Sequence, residues 1–229
     1  MDAGISARRI RLRLEEAGVD PDDLDAVLIS HEHTDHVAGL RVFLKRRAIP
    51  LFIAPESLAA TSLDPGIFDV IEPLEAGRSF TLGDLEISPF PVPHDAAVTF
   101  GFVFRSEGVK TTLVTDLGQA TNLVRERMRG SHCILLEFNH DVESLMESRY
   151  PLDVKMRIRG GYGHLSNGQA GSLLSQVIDG ETRAVTLMHL SENNNHPALA
   201  RLAAEEAVND PGIAIEVARH REITPHWEG

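Results

Sequence analysis

The first half of the chain consists of short apolar runs separated by turn residues, a pattern that predicts strands. Two pairs of these runs flank Gly83-Asp84 and Ser106-Glu107-Gly108, which are typical of hairpin turns. From Gln119 onward, apolar runs alternate with segments of helical periodicity. Hairpins followed by strand–helix units predict an α/β protein with two mixed sheets and helices outside them.

Capping residues and prolines give the predicted boundaries. Ser6 suits a helix N-cap, Gly18 a helix end, and Pro50 stops a helix. The predicted helices are Ala7–Ala17, about Val37–Arg47, Pro55–Thr61, about Gln119–Arg129, a segment after Asp141, Ser166–Ile178 and Pro197–Val208. The predicted strands are Ala26–Ile29, Leu51–Ala54, Phe68–Leu74, Phe80–Leu82, Leu85–Ile87 continuing to Pro93, Phe100–Arg105, Lys110–Val114, Cys133–Phe138, Ala184–Met188 and Ile213–Val217.

Composition favours one domain, residues 1–229, with an aliphatic core, because 42% of the residues are hydrophobic and only 5% aromatic. No apolar run approaches the roughly 20 residues of a membrane span. The first residues lack the charged and apolar regions of a signal peptide. The single cysteine, Cys133, lies in an apolar run. We therefore expect a cytoplasmic protein with no membrane partner.

The net charge of −12 argues against a surface that binds nucleic acid generally. Two bound divalent cations would nevertheless add four positive charges at one place. An acidic protein can therefore carry a local site for an anionic substrate.

Candidate metal ligands crowd the segment that follows the run Ala26–Ile29. Its order is His31-Glu32-His33-Thr34-Asp35-His36, with His31 and His33 on the same side of an extended end. Asp35 and His36 follow where a helix begins. Imidazoles and a carboxylate at this density repel or desolvate one another unless a cation binds them. The alternative is a solvated polar loop that is rich in histidine.

Three more ligand types stand at the ends of later predicted strands: His94, Asp116 and His189. A residue of this kind at one strand end is most often a cap or a structural hydrogen-bonding group. Together with the first cluster they make seven ligands, the number that two metal sites need when they share one carboxylate. Imidazoles combined with carboxylates suit two zinc or manganese ions.

The order H-x-H-x-D-H at a strand end resembles the signature of the metallo-β-lactamase superfamily, whose fold is an αββα sandwich. Further motifs resemble the YycJ/WalJ branch of that superfamily, which is described as 5′→3′ exonucleases. These motifs are Asp2-Ala3-Gly4, His94-Asp95-Ala96, Thr115-Asp116-Leu117-Gly118, Glu137-Phe138-Asn139-His140-Asp141, Gly163-His164-Leu165-Ser166-Asn167 and His189-Leu190-Ser191-Glu192-Asn193-Asn194.

The resemblance implies how the ligands are shared. One metal would take His31, His33 and His94, the other would take Asp35, His36 and His189, and Asp116 would bridge them. Asp35 is also expected to take part in catalysis. The implied reaction is hydrolysis of a phosphodiester, with DNA as the favoured substrate. Thioester or lactam hydrolysis on the same metal core is one alternative, and a metal-binding protein without activity is another.

His164 and His140 are further candidates for catalysis. His164 precedes Ser166, a good N-cap, so that a helix N-terminus near it could favour a phosphate. We expect His164 to act as a general acid or a phosphate ligand. Asn139 and His140 could orient the substrate or move a proton, or they could belong to a cap around Asp141. The other histidines are assigned to structure or solvent: His132, His196, His220 and His226.

Three cations alternate along a segment that we predict to be extended, Asp153–Arg159. Lys155, Arg157 and Arg159 would then share one side of the segment, just before the glycine-rich loop Gly160–Gly163. They could bind substrate phosphates, with Tyr162 as a group on which a base stacks. A solvated strand face is the alternative interpretation.

The chain begins at Asp2-Ala3-Gly4, whereas members of the resembled branch have strands before this motif. We expect the first sheet to have an uncovered edge as a result. A version extended upstream should then melt higher, and the present chain should tend to form a homodimer or aggregate.

Overall fold

The computed structural model describes residues 1–220 and 222–224. The chain divides into two compact units. One contains residues 1–78 and 96–100, and the other contains residues 79–95 and the described residues from 101 onward.

The first unit is built on a three-stranded sheet. It contains α1 (Ala7–Glu16), β1 (Val27–Leu28), α2 (Thr34–Val37), α3 (Leu40–Leu44), β2 (Leu51–Ile53), α4 (Pro55–Ala60) and β3 (Ile71–Pro73). The strands lie in the order β1-β2-β3 and pair in parallel. Ile29, Phe43 and Leu51 are buried in its apolar core.

The predicted helix Val37–Arg47 is wrong, because the structure has two short helices here, α2 and α3. Gly39 lies between them and donates its backbone N–H to the carbonyl of Ala3 at 2.7 Å. A Cβ on Gly39 would lie 2.0 Å from the carbonyl oxygen of Ile5. The break therefore lets the N-terminal segment run directly against the chain that carries Asp35 and His36.

The second unit is built on a seven-stranded mixed sheet. It contains β4 (Phe80–Leu82), β5 (Leu85–Pro91), β6 (Phe100–Ser106, in this unit from Gly101 onward), β7 (Val109–Val114), α5 (Asn122–Met128), β8 (Cys133–Glu137), α6 (Val142–Glu147), α7 (Leu152–Ile158), α8 (Asn167–Val177), β9 (Ala184–Met188), α9 (Pro197–Val208) and β10 (Ala214–Val217). The strand order is β10-β9-β8-β7-β6-β5-β4. The prediction of mixed sheets holds for this larger sheet, whereas the smaller sheet is parallel.

The parallel part of this sheet, from β7 to β10, positions the functional residues. Val114 of β7 pairs with Leu136 of β8, and Glu137 pairs with Met188 of β9. The carboxyl ends of β7, β8 and β9 therefore reach the same edge of the sheet. Functional residues commonly collect at this edge of a parallel sheet.

The predicted extended segment Asp153–Arg159 is also wrong, because the structure places helix α7 there. Its cations alternate at a spacing of two, which fits a strand, but over seven residues its apolar side chains fit a helix equally well. Pro151 is the N-cap, where its fixed φ and missing N–H are tolerated. On a helix, residues two apart do not share a face. Arg157 therefore does not share a side with Lys155 or with Arg159, and the three cations do not form one row.

Candidate metal centre

Three of the predicted histidine ligands crowd together just after β1. The ring centroid of His31 lies 4.6 Å from that of His33 and 4.1 Å from that of His36. His31 and His36 are buried, and His33 is partly buried. Imidazole nitrogens gathered this closely are the donor type that zinc and similar cations bind.

Asp2 orients two of these rings, a function that the sequence analysis did not assign to it. Its Oδ1 accepts from the backbone N–H of Ser30 at 2.7 Å, and its Oδ2 accepts from the Ser30 hydroxyl at 3.0 Å. The same Oδ2 lies 3.0 Å from Nδ1 of His36. The Ser30 hydroxyl is 3.0 Å from Nδ1 of His31. Because both Nδ1 atoms face protein groups, Nε2 is the nitrogen of each ring that can bind metal.

The backbone conformation of the Asp2-Ala3-Gly4 motif places the Asp2 carboxylate against Ser30 and His36. Asp2 has a φ of 52°, in the left-handed region, and its N–H donates to the carbonyl of Leu28 at 2.7 Å. A Cβ on Gly4 would lie 1.4 Å from the carbonyl oxygen of Asp35. Only glycine fits at this position, because the two backbones touch.

In the second unit, Asp116 lies between two of the predicted ligands. Its Oδ1 is 3.7 Å from Nε2 of His94 and 3.7 Å from Nε2 of His189. Two ligand atoms on one tetrahedral zinc are about 3.4 Å apart, given metal–ligand distances of roughly 2.0–2.1 Å. The spacing therefore suits a carboxylate that serves a metal on the His94 side and a metal on the His189 side.

Glu137, at the end of β8, is the second residue that the sequence analysis missed. It is fully buried, and its Oε2 accepts from the backbone N–H of Asp116 at 3.0 Å, while Oε1 accepts from that of Leu165 at 2.8 Å. The same Oε2 lies 3.0 Å from Nδ1 of His164 and 2.8 Å from Nδ1 of His189. Burial would raise the pKa of Glu137, but the charges and hydrogen bonds of these histidines outweigh it and lower the pKa.

The hydrogen bonds at Glu137 determine which ring nitrogen of each neighbouring histidine is left for a metal or substrate. With Nδ1 used on the carboxylate, His189 presents Nε2 towards Asp116, as a metal ligand requires. His94 is held in the same way, because its Nδ1 is 3.1 Å from the carbonyl oxygen of Gly163. Burial lowers the pKa of His94, against the opposing charge of Asp116. The neutral ring that a metal needs is therefore favoured.

His164 lies beside this centre without having been predicted as a ligand. Its Nδ1 is 3.9 Å from Oδ1 of Asp116 and its ring centroid is 5.5 Å from that of His189. Burial would lower the pKa of His164, but the adjacent Glu137 raises it. The helix N-terminus that follows, at α8, is closed by a capping box of Ser166 and Gln169. The backbone N–H groups of Ser166, Asn167 and Gln169 therefore already have partners within the chain.

His140 and Asn139 face the interior. The Asn139 amide donates to the carbonyl of His189 at 3.1 Å, and His189 has a left-handed φ of 56°. Asn139 therefore supports the backbone of a predicted ligand. His140 is 1% exposed, and neither ring nitrogen has a hydrogen-bond partner among the described residues. Burial lowers the pKa of His140 to about 4.

The basic residues of α7 have three different environments. Lys155 is buried, and its ammonium donates to the carbonyls of Met146 and Ser148, both at 2.7 Å. Arg157 is exposed and pairs with Asp95, the residue after His94. Arg159 is also exposed, and one of its nitrogens lies 3.6 Å from the sulfur of Met146.

The other described histidines contact backbone N–H groups or a carboxylate. Nδ1 of His132 accepts from the backbone N–H of Lys110, and Nδ1 of His196 accepts from that of Ala198 at the start of α9. His220 lies 3.8 Å from Glu192. His226 lies outside the described residues.

The donor sets of both units fit divalent metal ions. Buried or partly buried imidazoles have their Nδ1 atoms held by protein oxygen atoms, and the carboxylate of Asp116 lies at ligand spacing from two Nε2 atoms. In the second unit, four potential ligand residues have atoms within 4.8 Å of one another: Asp116, Glu137, His164 and His189. Such nitrogen and oxygen donors suit zinc or manganese.

The chain matches the β-lactamase superfamily domain over residues 1–190 and belongs to the metallo-β-lactamase superfamily. Within it, the chain is 31% identical over 217 residues to exodeoxyribonuclease YycJ of Bacillus anthracis. It is 32% identical over 222 residues to exodeoxyribonuclease WalJ of Streptococcus pneumoniae serotype 2. Both alignments cover 94% of this chain and 82% of the relative. The predicted membership of the YycJ/WalJ branch is therefore confirmed.

Solved structures show the same fold. The metallo-β-lactamase fold protein YhfI of Bacillus subtilis matches with a TM-score of 0.70 at 16% identity, over 95% of this chain and 83% of that one. Zn²⁺-bound PqqB of Methylobacterium extorquens matches with a TM-score of 0.63 at 19% identity, over 88% and 73%. The predicted fold class is confirmed, and the chain is a metal-dependent hydrolase.

No helix in the described ranges, 1–220 and 222–224, has the length and apolar character needed to cross a membrane.

Proposed function

We propose that this protein is a two-metal phosphodiesterase that degrades DNA from the 5′ end. The ligand set is the one predicted from the sequence: His31, His33, His94, Asp35, His36, His189 and Asp116. Support comes from relatives that are named exodeoxyribonucleases and align along 94% of the chain. The clustered imidazoles and carboxylates within each unit also support it.

Two divalent ions, when bound, would lower the pKa of the attacking water and neutralise charge that develops on the phosphate. Asp116 would keep the two ions close together. Asp35 is exposed on α2, with Oδ2 3.7 Å from Nε2 of His36. Its carboxylate can accept a proton from the attacking water.

The pairing of His164 with Glu137 is the observation that carries the proposal. A nuclease must protonate a leaving alkoxide oxygen, which is a poor leaving group. Glu137 binds Nδ1 of His164, so that the proton for the leaving oxygen would come from Nε2. The same carboxylate binds the backbone N–H of Asp116 and Nδ1 of His189. The acid and two metal ligands are therefore held by one buried group.

Arg157 and Arg159 are the proposed phosphate contacts, since both are exposed. Lys155, His140 and Asn139 are buried. We propose that these three act by supporting the structure around the site.

The decisive assay supplies the metal-loaded protein with single-stranded DNA labelled at the 5′ or the 3′ end, and with a thioester. We expect mononucleotides to be released stepwise from the 5′ end and the thioester to stay intact. Asp116→Ala should be inactive in the same assay. Thioester hydrolysis without DNA degradation would contradict the proposal, and so would degradation from the 3′ end.

A further inference from the structure

Asn195 is a partly buried residue in the loop after the predicted ligand His189. Its side-chain nitrogen donates to the backbone carbonyls of Phe138 at 2.8 Å and Asn139 at 3.1 Å. Its Oδ1 accepts from the backbone N–H of His196 at 2.9 Å. Because a nitrogen must face the carbonyls and an oxygen must face the N–H, the orientation of the amide is determined by its neighbours.

The same amide pairs with Asn167, the first residue of α8. Each side chain donates its nitrogen to the Oδ1 of the other, both at 2.9 Å. Asn167 is buried, and its backbone N–H donates to the carbonyl of His140 at 2.9 Å. Hydrogen bonds between side chains sheltered from water hold them in one arrangement. The start of α8 is therefore tied to the loop after His189.

The three segments that meet at Asn195 are the segments that carry His164, Glu137 and His189. Glu137 contacts Nδ1 of His164 at 3.0 Å and Nδ1 of His189 at 2.8 Å. Asn195 therefore joins, further along each segment, the same three pieces of chain that Glu137 joins at the rings. A side chain in this place can set the position of one ring relative to the other.

We propose that Asn195 is a positioning residue for the proposed general acid, His164, and that it acts through Asn167. This inference rests on the proposed phosphodiesterase function. Without the Asn195 amide, the start of α8 can shift relative to the end of β8, and Nε2 of His164 shifts with it. A displacement of about 1 Å can lower a rate roughly 10²-fold.

The predicted ligands near Glu137 keep their own contacts when the Asn195 amide is removed. The Glu137 carboxylate accepts from the backbone N–H of Asp116 and contacts Nδ1 of His189. The expected defect is therefore in proton delivery. Such a defect matters for an alkoxide leaving group and not for p-nitrophenolate, which needs no proton.

The test compares Asn195→Ala with wild type on two substrates in saturating zinc or manganese. One is end-labelled DNA, and the other is thymidine 5′-(p-nitrophenyl phosphate). Asn195→Asp keeps the size and the Oδ1 acceptor but removes the donor to the carbonyls. Asn193→Ala is the matched control, because Asn193 is exposed in the same loop and donates to the hydroxyl of Tyr150 at 3.1 Å.

We expect Asn195→Ala and Asn195→Asp to lower kcat on DNA by roughly 10- to 100-fold, the usual effect of removing a group that orients a functional residue. Their KM for DNA, their rate on the p-nitrophenyl ester and their metal content should stay close to wild type. Asn193→Ala should resemble wild type in every measurement.

Asn167→Ala tests the proposed route. It should lower kcat on DNA less than Asn195→Ala does, because Asn195 keeps its bonds to the carbonyls of Phe138 and Asn139. The double variant should be no slower than Asn195→Ala, since residues that act through one shared contact are not additive. If Asn195→Ala does not fold, Asn167→Ala decides by the same comparison of two substrates.

The results that overturn the inference can be told apart. Equal losses on both substrates, or loss of metal, would show that Asn195 supports the fold or the metal centre and not the acid. An unchanged kcat on DNA would show that the amide is not needed. Wild type that cleaves neither substrate would overturn the proposed function itself, and the inference with it.

Discussion

At the scale of single residues, His164 is the proposed acid, and Glu137 holds its ring in position. Glu137 is inaccessible and holds a ring nitrogen of His164, whereas His164 is partly exposed. Removing His164 should therefore slow cleavage without removing metal, because Asp116 and His189 keep their own contacts with Glu137.

We predict that His164→Ala lowers kcat on DNA by roughly 10²- to 10⁴-fold, the range typical of general acid–base groups. A p-nitrophenyl ester should restore most of the loss, because its leaving group needs no proton. Metal analysis of the variant should match wild type, and His220→Ala serves as an exposed control. Loss of metal from His164→Ala would instead make His164 a ligand.

His140 gives a second prediction, on acid stability. Its pKa is lowered from 6.5 to about 4 in the folded protein. Below pH 6.5 the unfolded chain binds a proton that the folded chain excludes, so stability is lost as the pH falls towards 4. A shift of this size corresponds to up to about 3 kcal/mol. Urea unfolding of metal-depleted protein between pH 7.5 and 4.5 should show a shallower loss for His140→Gln. If the free energy of unfolding falls equally with pH in both proteins, His140 is not the cause of the acid instability.

At the scale of elements, the glycine-rich loop after α7 holds ligands as well as linking helices. Gly163 accepts from Nδ1 of His94, and a Cβ on it would lie 2.2 Å from the carbonyl oxygen of Ile158. A side chain there must move the loop, and the loop carries both His164 and Tyr162.

Gly163→Ala should therefore weaken metal binding by roughly 10- to 100-fold, the usual effect of losing a group that orients a ligand. Gly168→Ala is the matched control, because a Cβ there has no atom within 4 Å and alanine favours helix α8. Metal titration of both variants checks this. Equal affinities would show that His94 does not need the Gly163 carbonyl.

The cations of α7 should separate into two classes. We predict that Arg157→Gln combined with Arg159→Gln weakens DNA binding and flattens its salt dependence, because fewer counterions are released. Lys155→Gln should instead lower the melting temperature with the salt slope unchanged, since its ammonium satisfies two backbone carbonyls. Binding measured from about 50 to 200 mM salt distinguishes them. A flattened slope in Lys155→Gln would contradict this division.

At the scale of the whole molecule, local patterns predicted most elements and the strand ends that carry His94, Asp116 and His189. Turns, caps and strand periodicity are properties of neighbouring residues, so the sequence displays them. Asp2 and Glu137 were missed because their partners are distant in sequence, such as Ser30 for Asp2 and His189 for Glu137. Helix α7 was missed because seven residues fit both periodicities and the burial of Lys155 depends on Met146 and Ser148.

Metal should also stabilise the folded chain as a whole. An ion that binds the native ligand arrangement and not the unfolded chain stabilises by about 2.7 kcal/mol at 100 times its dissociation constant. For a chain of 229 residues, this corresponds to a rise in melting temperature of very roughly 5–10 °C. We expect chelation to remove that rise and added zinc or manganese to restore it. Asp116→Ala should melt at nearly the same temperature with and without chelator, because its proposed bridge is absent. A wild-type melting temperature that stays constant while the measured metal content falls to zero would show that ligand positions form without metal.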